Sequence, residues 1–222
     1  MNILAIDTAL EACSVALSLS DSERPLAKSE LVIRRHAERL FAMITEILDQ
    51  AVIPITEIDR FAVTTGPGSF TGIRVGIAAV RGFALASGAS AVGISTLAAH
   101  AEAAREVVGK RPVFAVLPAK GDELFGQLFA PDGNEMTEPK VGEPNDFANE
   151  AFEARAVVAG AGADRVATID RRSHLSVIHS RSAPDINAVL RVAATHSPTA
   201  SPRPLYVKPP DAVRLDTAIS SR

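Results

Sequence analysis

The residues best suited to chemistry lie together in Thr65-Gly66-Pro67-Gly68-Ser69-Phe70-Thr71-Gly72-Ile73-Arg74. Glycines let a backbone approach a ligand closely, and the free N–H groups at the start of a helix attract anions. Ser69 or Thr71 could cap such a helix, and Arg74 adds a positive charge in its first turn. By residue type, a phosphate-binding loop and a purely structural tight turn fit equally well. It is not a Walker A loop, because no Gly-Lys-Ser/Thr follows. Asp7-Thr8 ends the first apolar run, where a carboxylate and a hydroxyl could hold a hydrated metal or a phosphate. The plainer reading is an Asx-type turn in which Asp7 bonds backbone N–H groups. Gly160-Ala161-Gly162 also follows an apolar run, but position 165 is Arg rather than Gly, so it reads as a turn.

The remaining candidates weaken the case for a stand-alone hydrolase. Of His36, His100, His174, His179 and His196, no two stand four apart on a helix, so no zinc-type pair is present. Cys13 is the sole cysteine and lies mid-strand, where burial as an inert thiol is expected. No Gly-x-Ser-x-Gly elbow occurs.

These residues need a scaffold, and the patterning supplies one. Apolar residues make up 47% of the 222 and charged residues 22%, which suits a folded core and excludes a disordered chain. The lone cysteine fits a reducing, cytoplasmic setting. Neither a signal peptide nor a membrane span is expected, because Asp7 and Glu11 interrupt the first apolar stretch. The net charge of −3 is uneven: residues 155–222 carry +5 and residues 1–154 carry −8. The basic part could face an anionic partner, although a solvated surface is the commoner cause.

Residues 3–6, 13–19 and 26–33 read as three strands of a meander, the second with clear two-residue alternation. From His36 to about Val52 the period becomes helical, with Leu40, Phe41, Ile44 and Leu48 on one face. Met43 and Ile47 widen that face beyond what one core contact needs. A strand at 61–64 feeds, through the glycine loop, a helix at 71–87, and Gly68, Gly72 and Gly76 recur every fourth residue from the loop into that helix. Each interior glycine costs about 1 kcal/mol against alanine, so close packing should compensate. A strand at 91–94, a helix to about Val108, strands at 112–117, 124–129 and 154–159, and a helix from Ser182 to His196 follow. Residues 130–146 read as loop. No internal repeat is visible, and the alternation predicts an α/β fold.

The segments ILAIDTALEACSVAL, GPGSFTGIRVGIAAVRGFALA and GISTLAAHA resemble the TsaB (YeaZ) family over residues 1–105, and Pro204-Leu205-Tyr206-Val207 resembles it again near the end. The resemblance implies the two-lobed actin/sugar-kinase/Hsp70-like (ASKHA) fold, with an N-terminal lobe at 1–105 and a reduced C-terminal lobe at 106–222. It implies a non-catalytic scaffold or activating subunit for threonylcarbamoyl transfer to adenosine 37 of tRNA. The expected partners are a TsaD-like catalytic subunit, a TsaE-like ATPase, tRNA through the complex, and a second copy as homodimer. Asp7, Thr8, Gly66, Gly68, Ser69, Thr71, Gly72 and Arg74 would form any nucleotide or anion loop, with ATP or ADP and Mg at the partner interface. His36, Leu40, Met43, Ile44, Ile47, Gly72, Gly76, Val80 and Phe83 would form that interface.

TsaD-like sequences carry two histidines four apart where this chain has Thr96 and His100, so His100 is expected to be an ordinary helix residue. At Leu117-Pro118-Ala119-Lys120 the chain departs from the family's usual Asp-Ala-Arg. The competing reading is a stand-alone ASKHA-fold peptidase or phosphotransferase using Asp7 and the 66–72 loop.

Overall fold

The computed structural model describes residues 1–31, 36–170, 175–197 and 201–207. His174 and the end of the strand expected at 26–33 lie outside them, as does the side chain of His36.

The first half builds a five-stranded sheet. β1 (Ile3–Asp7), β2 (Ala12–Ser18) and β3 (Leu26–Leu31) form the antiparallel meander. β4 (Arg60–Gly66) and β5 (Ser90–Ser95) extend it in parallel, giving the order β3-β2-β1-β4-β5. β1 and β4 are central and buried throughout, so their sequences run apolar instead of alternating; the edge strand β3 alternates half-buried with exposed. α1 (His36–Ala51) and α2 (Phe70–Ser87) cover one face, and α3 (Thr96–Val108) leaves the last strand.

The second half repeats this plan. β6 (Val113–Pro118), β7 (Leu124–Phe129) and β8 (Lys140–Gly142) are antiparallel, and β9 (Val157–Ala159) and β10 (Val177–His179) add in parallel. The order β8-β7-β6-β9-β10 matches the first sheet strand for strand. α4 (Pro144–Glu153), α5 (Ala163–Ile169) and α6 (Ile186–Thr195) take the places of α1, α2 and α3. They are shorter, at 10, 7 and 10 residues against 16, 18 and 13. The region expected to be loop at 130–146 therefore holds β8 and the start of α4. Three residues give no periodicity to read, and α4 opens on Pro144 in its first turn, where proline costs the helix nothing.

The last helix of each half crosses over. α6 packs on the first sheet through Ile186, Val189 and Leu190, while α3 packs on the second through Leu97, Ala101 and Ala104. Buried Arg60 on β4 donates to the carbonyls of Ala193 and His196, placing a cation on the C-terminal end of α6. Residues 201–207 also return to the first sheet, where the Leu205 N–H donates to the Thr65 carbonyl at 2.8 Å.

α2 is long and apolar enough to cross a membrane by length and composition alone. One of its faces packs on the first sheet through Ile73, Ile77 and Val80, as the core helix of a folded domain does.

Candidate functional site: the β1–β2 turn, the glycine loop and the outer face of α2

The glycine loop joins β4 to α2, and the β1–β2 turn lies directly against it. Ser69, not Thr71, caps the helix: its hydroxyl accepts from the Gly72 N–H at 3.2 Å. The Ser69 N–H donates to the Ala9 carbonyl at 2.6 Å, and the Thr8 hydroxyl donates to the Gly72 carbonyl at 2.8 Å. A Cβ at Gly68 would lie 2.2 Å from the Ala9 oxygen, one at Gly72 2.0 Å from the Thr8 oxygen, and one at Gly76 2.6 Å from the Thr8 hydroxyl. The three glycines thus admit the chain's own backbone. The side of the loop that faces the β1–β2 turn is filled by the carbonyl oxygens of Thr8 and Ala9.

Asp7 and Thr8 are fully buried. One Asp7 carboxylate oxygen accepts from the Ala9 N–H at 3.0 Å and from the Thr64 hydroxyl at 2.5 Å. This is the Asx-type turn, with an added bond that ties β1 to β4. Arg74 is engaged by two aromatic side chains: its guanidinium carbon lies 3.7 Å from the centre of the Phe70 ring, and Nη2 donates to the Tyr206 hydroxyl at 3.2 Å.

The interface residues expected on α1 and α2 fall elsewhere than expected. Leu40, Met43, Ile44, Ile47 and Val80 are buried in the first sheet's core, Gly72 and Gly76 face the β1–β2 turn, and Phe83 is half-buried between Phe61 and Phe41. The wide apolar band of α1 is needed because both the sheet and α2 press on it. What α2 presents outward is a different stripe: Thr71, Arg74, Ala78, Gly82 and Leu85. Gly82 has nothing within 4 Å of where a Cβ would stand, and Leu85 is 87% exposed. Phe41, half exposed, lies beside this stripe through its edge contact with Phe83.

At the junction of the halves, His100 is fully buried on α3 and meets His179 of β10, with ring centres 5.4 Å apart. It is therefore no ordinary helix residue, and residues 79 apart supply the pairing that sequence spacing could not reveal. Burial pushes the His100 pKa down to about 3, with further contributions from His179 and Arg181. Burial also lowers that of His179. Among the described residues no group of three or more His, Cys, Asp or Glu is arranged to hold a metal. Cys13 is buried, and desolvation with the nearby Asp7 charge raises its pKa to about 11, which keeps the thiol protonated.

In the second half, Gly160-Ala161-Gly162 is the counterpart of the glycine loop. Gly160 has φ +103°, and a Cβ there would lie 2.3 Å from the Val116 oxygen. It is a close-packed turn, as its residue pattern suggests.

Comparison with known proteins fits this architecture. The family of tRNA N6-adenosine threonylcarbamoyltransferases, TsaD, matches residues 28–174. A YeaZ structure from Pseudomonas aeruginosa superimposes with a TM-score of 0.80 at 30% identity, covering 92% of this chain and 99% of that one. The chain belongs to the TsaB/YeaZ family. The two halves are accordingly the two lobes of the ASKHA fold. The tRNA threonylcarbamoyladenosine biosynthesis protein TsaB of Escherichia coli is 40% identical over 134 residues, which span 60% of this chain and 57% of that protein. A tRNA N6-adenosine threonylcarbamoyltransferase of Dinoroseobacter shibae is 32% identical over 131 residues, 36% of its length. The chain thus spans little more than half of the TsaB relative and about a third of the transferase.

Proposed function

We propose that this TsaB-family chain is a non-catalytic subunit in making threonylcarbamoyladenosine on tRNA, and that it docks a TsaD-type catalytic partner through the outer stripe of α2. The observation that carries this reading is Gly82. An interior helix glycine costs about 1 kcal/mol against alanine, and none of the described residues makes use of the missing side chain. A second helix crossing there would, since small residues let helix backbones approach closely. Ala78 and exposed Leu85 continue the surface, and Phe41 borders it with an apolar ring. The partner's similarity to this chain favours a pseudo-symmetric pairing of like helices, and a second copy of this chain would compete for the same stripe. TsaE and tRNA would join through the mixed complex, in the cytoplasm.

Light scattering on a sizing column tests the pairing, first with the chain alone and then with TsaD from the same organism. A mixed complex that forms with the wild type and fails with Leu85→Asp, together with tRNA modification only in the mixture, is the expected outcome. ATP turnover by the chain alone, with no mixed complex, overturns the proposal in favour of a stand-alone enzyme.

A further inference from the structure

We infer that Phe70, Arg74 and Tyr206 form a stacking site for an unpaired base of RNA. The inference deepens the proposed function by giving this chain its own contact with the tRNA. The site shares Arg74 with the N-terminal end of the outer stripe, whereas the partner helix would cross farther along α2 at Ala78, Gly82 and Leu85. Phe70 and Tyr206 are 51% and 47% exposed, with ring centres 6.1 Å apart and planes tilted by 33°. The Arg74 guanidinium sits over the Phe70 ring and donates to the Tyr206 hydroxyl, so both rings are held by one cation. Aromatic faces joined to a guanidinium are the surfaces on which unpaired RNA bases stack.

The charge around them fits a polyanion. No Asp or Glu occurs between residues 60 and 101 or between 201 and 207, although the whole chain carries −3. Exposed Arg74, Arg81 and Arg203 lie in these acid-free stretches of sequence, and none of them has an ion-pair partner among the described residues. Arg81 donates to the Pro202 carbonyl, while Tyr206 lies at Arg74. Residues 202–206 therefore run back along α2 over seven helical residues, about 10 Å. A cationic track of that length is longer than one nucleotide needs and suits a strand whose phosphates follow the arginines while a base meets the rings.

Tyr206 is the sole tyrosine and the chain has no tryptophan, so its emission reports on this site alone. The test titrates the full chain with a fluorescein-labelled tRNA anticodon stem-loop, reading anisotropy, and with the unlabelled stem-loop, reading Tyr206 emission. The expected result is quenching of Tyr206, about tenfold weaker binding in Tyr206→Ala and in Phe70→Ala, and affinity retained in Tyr206→Phe. Arg203→Gln should reduce the slope of log affinity against log salt by about 1. Circular dichroism confirms that each variant is folded, and Tyr206→Ala alters only a half-exposed tail residue. Unchanged affinity in both alanine variants, or no binding by the wild type, overturns the inference. So does equal quenching by AMP, which would make this a mononucleotide site, or equal binding of a fully paired RNA hairpin stem. Failure of the docking proposal leaves this titration unaffected, because it uses the chain alone.

Discussion

The two lobes share one topology and one device, used with different rigour. In the first lobe the strand-to-helix turn after β4 presses on the β1–β2 turn through Gly68, Gly72 and Gly76, and every atom of Asp7 and Thr8 is buried beneath it. In the second, the turn after β9 presses on β6 through Gly160, but the β6–β7 turn at Lys120, Gly121 and Asp122 stands in solvent. The first lobe also keeps long covering helices, one with an outer face free for a partner, whereas α5 is a single seven-residue remnant of the corresponding α2. The same plan is thus tightly packed in the first lobe and cut down in the second. The departures at Pro118 and Lys120 fall on the cut-down side.

The largest expected effect tests the tightness of the first lobe. Gly72→Ala puts a methyl 2.0 Å from the Thr8 backbone oxygen in the buried β1–β2 turn, so relief requires moving that turn or α2. A loss of at least about 3 kcal/mol is expected, visible as a collapsed thermal transition. A melting temperature near the wild type would mean the contact is looser than the geometry indicates.

The next effect is read from pH at the seam between the lobes. The folded pKa of His100, about 3, lies below the unfolded value of about 6.5. The unfolded chain therefore binds the extra proton between these values, so this contribution to stability is complete above pH 6.5 and declines as pH falls toward 3. A loss on the order of a few kcal/mol across that window is expected in denaturant titrations. His100→Gln should flatten the slope; an unchanged slope would assign it to other groups.

Gly160→Ala should cost about 2 kcal/mol, less than Gly72→Ala, because the shorter α5 can give way although φ +103° is strained for alanine. Equal losses at the two sites would erase the contrast between the lobes. The smallest effect has the opposite sign. Gly82→Ala should stabilise the isolated chain by roughly 1 kcal/mol, since nothing occupies the space and the helix gains propensity. Gly82→Trp should leave the fold intact and weaken the mixed complex in the sizing assay.

Much of the first lobe could be read from the residues: the meander, both long helices, and the Asp7 turn at the end of β1. Long elements repeat their periodicity often enough to be recognised, whereas β8 and β10 at three residues each do not; β9, equally short, shows only as the end of the apolar run at 154–159. The likeness of the two halves was invisible for the same reason, since it lies in strand order and not in matching residues. At the site, residue type marked the loop as special but left phosphate capture and tight packing equally plausible.

The sequence by itself determined where the longer strands and helices form, which positions are apolar, the location of the acid-free stretch, and kinship with the TsaB family. These depend on residue identity and on neighbours a few positions away. Only the tertiary structure decided that Met43 and Ile47 face inward, that Gly72 admits Thr8 while Gly82 meets none of the described residues, and that His100 meets His179. A helix shows its apolar stripe in its sequence, but how many neighbours press on that stripe depends on residues dozens of positions away. Burial, close approach and shifted pKa values are properties of that long-range packing.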